Sequence, residues 1–381
     1  MKVVHVIDAL GVGGGAEHSL ATLLPELRER GVESSVVCLR PREGGLQAAL
    51  TAAGVEVTVL PGRPGPRQVR ALRRIVRERR PDLVHATLLP ACLTARFACP
   101  GLGVPLLNSL VNTTYDPVRV RLAGLSPTRV RAWRVIDGLT ARHLVDHLHV
   151  LSEAVRAEAV GVLGVDRART TLIPRGRSAS DLGRAGATRR TSVRQALGVA
   201  DEEPLVVNVA RQDLQKGQDV LLRAWPRVLA AHPRATLLLV GREGAASARL
   251  RDEARTLDAS VRMLGHRDDA VDLVAAADLF AFPSLYEGLG CAVIEAMALE
   301  TPVVASDAPA LIELLEGGDL GVVVPRGDAE ALGDALVALL ADPGRRAGLA
   351  ARARTVFLDR YELAAVADLT VTLYQELAAR G

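Results

Sequence analysis

The 381-residue chain reads as an α/β protein built from two Rossmann-like, doubly wound domains. Three observations predict this. Short β-branched or Leu-rich runs alternate with longer helical patterns, the signature of βαβ units around a parallel sheet. The series runs to completion, breaks in a Ser/Gly/Arg-rich stretch at residues 175–204, and begins again. The chain is also too long for one ordinary core.

In the first series, residues 2–8 form a strand, and a helix follows at 16–30 with Leu20, Leu23, Leu24 and Leu27 as one apolar stripe. Gly31 stands where a helix C-terminal cap is expected. Further strands are expected at 34–39, 55–60, 82–86, 105–109, 148–151 and 171–173, which complete a doubly wound domain. The break holds a short helix near 192–197 and the domain linker. The second series places strands at 205–210, 236–241, 261–264, 279–282, 302–305 and 321–324, with helices between them and three more at the end. Doubly wound sheets bind ligands at the carboxyl ends of their strands, so a cleft between the domains is the expected working site.

A hydrophobic content of 49% and 24% charged residues are those of a soluble globular protein. Cys38, Cys92, Cys99 and Cys291 show no C-x-x-C spacing, which predicts reduced, mostly buried thiols and a cytoplasmic setting. The N-terminus meets Asp8 before a signal-peptide core forms, and Arg96 and Pro100 break the best apolar run, so no membrane span is expected. The net charge of +3 conceals an asymmetry. Residues 1–180 hold 25 basic and 15 acidic side chains, a balance of +10, and the remainder holds 22 and 29, a balance of −7.

The segment Glu287-Gly-Leu-Gly-Cys-Ala-Val-Ile-Glu295 carries the most chemistry. Two acids flank Gly288, Leu289 and Gly290, and a helix starts near Gly290. Glycines let backbone amides approach a ligand, a helix N-terminus favours an anionic or oxygen-rich group, and carboxylates accept from sugar hydroxyls. The pattern suits a polyol attached to a phosphate, although a strand-to-helix turn with a solvated Glu295 is the plainer reading of this segment alone. Val209-Ala-Arg211 leads into Asp213-Leu-Gln-Lys216-Gly217, which sets two cations at the mouth of the same sheet. A planar Arg fork and a compact Lys charge are the usual pair for a diphosphate.

With these motifs the chain resembles the retaining GT-B glycosyltransferases of family 4 over nearly its whole length. The likeness runs through Gly13-Gly14-Gly15-Ala16-Glu17, Pro81-Asp-Leu-Val-His85, Ile173-Pro-Arg-Gly176 and Leu239-Val-Gly241. It continues through Leu264-Gly265-His266, Pro283-Ser-Leu-Tyr-Glu287-Gly and Pro302-Val-Val-Ala-Ser306. It implies an acceptor-binding domain over 1–178, a nucleotide-sugar domain over 179–360, and a last helix within 361–381 that packs on the first domain. It further implies that Glu295 binds the donor ribose, Glu287 the transferred sugar, and Arg211 and Lys216 the diphosphate. Backbone at Gly265, His266 and Arg267 would meet the base.

The glycine loop of Gly13, Gly14 and Gly15 with Glu17 would face phosphate or acceptor, as would Asn112. His85 ends a strand and points either to the cleft or into a satisfied structural network, and Arg175 meets either an anionic acceptor or, as a linker surface charge, solvent. The chain departs from the family where many relatives carry a histidine: here the stretch is Asn108-Ser-Leu-Val-Asn112-Thr-Thr. Arg175 replaces a common Asn, and Glu300 a common Gly. No spacing suits a metal, and the Arg/Lys pair makes one unnecessary, so no metal or other cofactor is expected. The partners implied are a nucleoside diphosphate sugar and a glycan, lipid-linked or small-molecule acceptor, with no nucleic acid.

Two other classes compete. Gly11-Val-Gly13-Gly-Gly-Ala16 fits a loose dinucleotide fingerprint, with Arg40 available to an NADP phosphate, but that reading leaves the second domain's acid pair unexplained. A GT-B protein that only binds or epimerises a sugar nucleotide is the other. Finally, eight arginines at 63–80 surround Leu72, Ile75 and Val76, and five more at 119–134 surround Leu122, Leu125, Val130 and Trp133. Helical spacing gives the first segment a basic outer face, which an anionic membrane surface at the inner leaflet would attract. A merely solvated face explains the same pattern.

Overall fold

Val3, Val4, Val6 and Ile7 make both faces of the first strand apolar, so it must be covered on both sides, and all four are at most 1% exposed. The computed structural model describes residues 1–11, 15–42, 44–63 and 65–380. It divides into two compact units, one of Met1–Tyr115, Gly124–Gly176 and Leu363–Gly381, the other of Asp116–Ala123 and Arg177–Glu362.

In the first unit, strands β1 (Lys2–Ile7), β2 (Glu33–Cys38), β3 (Glu56–Val59), β4 (Leu83–Thr87), β5 (Leu106–Leu110), β6 (His147–Val150) and β7 (Thr170–Leu172) form one sheet. The order is β3-β2-β1-β4-β5-β6-β7, parallel throughout. In the second unit, β8 (Leu205–Val209), β9 (Thr236–Val240), β10 (Val261–Gly265), β11 (Leu279–Phe282), β12 (Val303–Ser306) and β13 (Val322–Val324) follow the order β10-β9-β8-β11-β12-β13. Every expected strand is present, with ends displaced by at most one residue. Each sheet reverses direction once, between β1 and β4 in the first unit and between β8 and β11 in the second. A doubly wound sheet opens a ligand crevice at that reversal.

Local signals account for the helices. The helix Gly15–Glu29 buries Leu24 and Leu27, and Gly31 ends it at φ 77, with Val32 N donating to Leu27 O at 2.9 Å. Pro66–Arg79 buries Leu72, Ile75 and Val76 and turns Arg67, Arg70, Arg74 and Arg77 to solvent. Glu300, where the family commonly has Gly, adopts φ 56, the left-handed region a glycine would occupy without strain. Cys38, Cys92 and Cys99 are buried and Cys291 is half-buried, and none of the four is joined in a disulfide. Among the described residues no helix is long and apolar enough to cross a membrane.

Three features refine the sequence expectations. The stretch at 175–204 contains two helices, Ala179–Leu182 and Ala187–Leu197; Arg194 in the second is fully buried and donates to Ala200 O at 2.7 Å, holding a segment whose composition resembles a loop. The unit boundaries fall at Gly176/Arg177 and Glu362/Leu363, and Asp116–Ala123 groups with the second unit although it interrupts the first in sequence. His85 lies inside the first unit, with Nδ1 2.6 Å from Tyr374 Oη and Nε2 2.6 Å from Ser109 Oγ. Ser109 Oγ is in turn 2.7 Å from His149 Nδ1, and His149 Nε2 donates to Ile173 O at 2.7 Å.

Burial holds His5 and His149 down to about 4 and His85 well below its ordinary value, with His5 and His149 also repelling a charge on His85. These imidazoles are neutral in the folded unit and titrate near 6.5 once unfolded. Stability is therefore full above pH 6.5 and falls as the pH drops from 6.5 toward 4, by about 3 kcal/mol each for His5 and His149, with His85 acting in the same direction. Urea unfolding across this range should show two or more protons taken up on unfolding near pH 5. A midpoint unchanged between pH 7 and 4.5 contradicts this account of the histidine cluster.

Candidate functional site

The loops that follow β8 and β11 leave the second sheet at its reversal point, and the sequence fixes them to one another. Asn208 in β8 is fully buried; its Nδ2 donates to Ala281 O, and its Oδ1 accepts from Gln218 Nε2, each at 2.8 Å. Gln218 opens the helix Gln218–Ala231 directly after Gly217. Leu285 N donates to Gln215 O at 2.7 Å, and Gln215 Nε2 donates to Tyr286 O at 2.9 Å. Gly217 has φ 62, and a Cβ there would stand 2.1 Å from Pro283 O.

This framework brings Lys216 and Glu287 together. Lys216 Nζ donates to Glu287 Oε1 at 2.5 Å, and the two side chains are only 18% and 10% exposed. The ammonium also lies 5.5 Å from the Phe282 ring centroid, a cation–π contact. Arg211, at the end of β8, is ion-paired with Asp213 and remains 57% exposed, so its guanidinium is accessible to a ligand.

After Glu287 the chain turns through Gly288, Leu289 and Gly290. Leu289 is buried, and Gly290 has φ 95 with no room for a Cβ, which would meet Leu311 Cδ2 at 2.7 Å. The helix Cys291–Ala298 begins there and carries Glu295. Glu295 Oε1 accepts from Arg177 Nε at 2.6 Å. Spacing did not reveal Arg177: it sits 118 residues before Glu295, in the stretch read as linker, and its only sequence signal is a second arginine after Pro-Arg-Gly. On the β9–β10 side, Gly241 has φ 140 and its N donates to Gly265 O at 2.7 Å. His266 and Arg267 are exposed and lie against Asp268 and Asp269 of their own loop.

In the first unit, Gly13 and Gly14 lie outside the described residues. Gly15 starts its helix with Glu17 in the first turn, and a Cβ on Gly15 would stand 3.2 Å from Arg175 Nη1. Asn112 Oδ1 accepts from Thr113 N at 2.9 Å. His85 is committed to the interior network. Arg40, the residue an NADP phosphate would require, is paired with Asp8. Among the described residues, no group of three or more His, Cys, Asp or Glu side chains is placed to hold a metal ion.

Residues 14–176 match the family model described as a glycosyl transferase 4-like domain, and residues 203–342 match that of glycosyl transferases group 1. The D-inositol 3-phosphate glycosyltransferase of Kineococcus radiotolerans is 30% identical over 380 residues, covering 90% of this chain and 86% of that protein. The chain belongs to the group 1 glycosyltransferases. The phosphatidyl-myo-inositol mannosyltransferase of Mycobacterium leprae is 41% identical over 171 residues, 44% of this chain and 45% of its own length. The chain thus spans under half the length of several curated relatives it matches. HepE of Anabaena, solved in complex with UDP, superposes with a TM-score of 0.84 at 23% identity, over 99% of this chain and 100% of that one. At that identity the likeness concerns the fold, which is GT-B.

The glycines at the site differ in how far they constrain it. Gly217→Ala combines a left-handed backbone with a clash against Pro283 O and should cost about 2–5 kcal/mol. Gly265→Ala has a similar φ of 66 but nothing within 4 Å of the added Cβ, and should cost about 1–2 kcal/mol. Urea unfolding of both variants checks the order; equal losses contradict the tight docking of the Lys216 loop.

Proposed function

We propose that this glycosyltransferase-family chain moves a sugar from a nucleoside diphosphate donor to a hydroxyl acceptor, with retention of anomeric configuration and without a divalent metal. The observation that carries the reading is the Lys216–Glu287 pair at 2.5 Å, where a phosphate-binding cation and a sugar-binding carboxylate meet at the reversal of the second sheet. Glu295 takes the ribose and Glu287 the transferred sugar. The backbone of Gly288, Leu289 and Gly290 faces sugar or phosphate, and that of Gly265, His266 and Arg267, beside Gly241, the base. Retention rests on family membership.

In the reaction the bond from the anomeric carbon to the diphosphate oxygen breaks, and the nucleoside diphosphate leaves with the electron pair. The acceptor oxygen forms the new bond, and its proton passes to the departing diphosphate oxygen. Arg211 and Lys216 stabilise the charge that grows on the leaving group, and removing one such preorganised donor typically costs about 2.7–4 kcal/mol of barrier. Two cations supply the counter-charge a metal would otherwise bring. Lys216→Ala should lower kcat by about 10²–10³, and Glu295→Ala should weaken donor binding by about 1.5–3 kcal/mol, while chelator leaves the parent rate unchanged. Full turnover in Lys216→Ala, parent affinity in Glu295→Ala, or chelator-abolished activity that Mg²⁺ or Mn²⁺ restores, each removes the corresponding assignment.

On the acceptor side, the relatives from Kineococcus and Mycobacterium leprae are named for inositol phosphate and phosphatidylinositol substrates. The +10 balance of residues 1–180 suits such an anionic, lipid-linked acceptor, with the glycine loop, Asn112 and Arg175 as its nearest candidates. A reading in which the chain contacts an anionic leaflet is supported by the outward arginines of Pro66–Arg79. The helix Pro127–Leu144 supports it too, with Trp133 54% exposed beside Arg129, Arg131 and Arg134. At about 1 kcal/mol per basic residue, three or four in register suffice for reversible attachment. Flotation should show binding to anionic vesicles at low salt, release at high salt, and none to neutral vesicles; protein that never floats with anionic vesicles assigns the basic face to solvent or to the acceptor.

A further inference from the structure

Arg177 is the first residue of the second unit, and Glu362 is the last residue before the chain returns to the first. The two passages are tied side by side. Arg177 N donates to Tyr361 O at 2.8 Å, Arg177 and Glu362 form an isolated parallel bridge, and Ala179 N donates to Glu362 Oε2 at 3.1 Å. From this anchored backbone the Arg177 side chain, only 7% exposed, runs to the helix Cys291–Ala298. Its guanidinium meets that helix at positions four apart, one turn, hydrogen-bonding the Cys291 side chain and Glu295 Oε1.

Glu295 itself is 24% exposed, and its Oε2 accepts no hydrogen bond from the described residues. One carboxylate oxygen is therefore held by Arg177, while the side chain keeps part of its surface exposed. A carboxylate held in one rotamer loses less freedom when a ligand binds, which is how preorganisation raises affinity. Arg suits the task because it stays charged when buried and its planar fork orients the group it binds.

We propose that Arg177 is a positioning residue: it fixes the Glu295 carboxylate so that Oε2 faces the vicinal hydroxyls of the donor's ribose, and so sets the preference for a nucleotide with an intact ribose diol. The inference rests on the reading of Glu295 as the ribose contact. It assigns no contact between Arg177 and the donor.

The probes are UDP and GDP, whichever the parent binds more tightly, and its 2′,3′-dideoxy counterpart. Titration calorimetry on the full chain gives an affinity ratio for each variant. A change in the folded fraction alters both affinities alike and cancels in the ratio, so a merely structural role for Arg177 leaves it unmoved. The parent ratio should be about tenfold or more, one charge-assisted hydrogen bond. Arg177→Met should reduce it to within about threefold, and Arg177→Lys should recover part of it. Glu295→Gln should also lose it. A parent-like ratio in Arg177→Met alongside a collapsed ratio in Glu295→Gln overturns the positioning role and leaves the ribose contact standing. A parent-like ratio in both removes the ribose contact, and the inference falls with it.

Discussion

The second unit is organised around one ion pair, Lys216 with Glu287, which joins the loops after β8 and β11. These strands are neighbours in space although β9 and β10 separate them in sequence, because the sheet is built outward in both directions from β8. That reversal leaves two adjacent loops pointing the same way with no helix crossing between them. The chain uses the opening for charge. Removing one member of a pair this buried leaves an uncompensated ion, so the pair joins the hydrogen bonds from Gln215 and Leu285 in tying the two loops together.

Each charged group assigned to the donor already has an opposite partner in the protein: Lys216 with Glu287, Arg211 with Asp213, Glu295 with Arg177. On the proposed assignment, donor binding is an exchange or sharing of partners rather than the burial of bare ions, which keeps the desolvation cost small. The arrangement is graded. Arg211 is ion-paired with Asp213 and largely exposed, whereas Arg177 is buried and anchored through its backbone to the return passage of the chain. A fixed guanidinium suits the orientation of a carboxylate.

Much of this was legible in the sequence. The strands were, because buried parallel strands read as unbroken apolar runs set off by glycines and polar loops. Lys216 and Glu287 were, because each follows such a run by a few residues and so must lie at a strand's carboxyl end. Arg177 was not. Its partner lies 118 residues on, and the stretch around it has the composition of a linker; only the fold reveals that Arg177 lies beside Glu362. His85 was legible as the end of a strand but not in its role, because its partners Ser109 and Tyr374 come from another strand and from the last helix. The short segment Asp116–Ala123 follows the same rule, since its place is set by packing against residues remote in sequence.

The central claim is that the second unit receives a nucleoside diphosphate sugar, and ligand-dependent thermal stability of the intact chain tests it most directly. Binding to the folded state alone at a hundred times the dissociation constant adds about 2.7 kcal/mol. Among UDP-, GDP-, ADP- and TDP-sugars, at least one should raise Tm saturably in the presence of chelator, and NADPH should not. A Tm that responds to NADPH and to none of the sugar nucleotides would contradict the account.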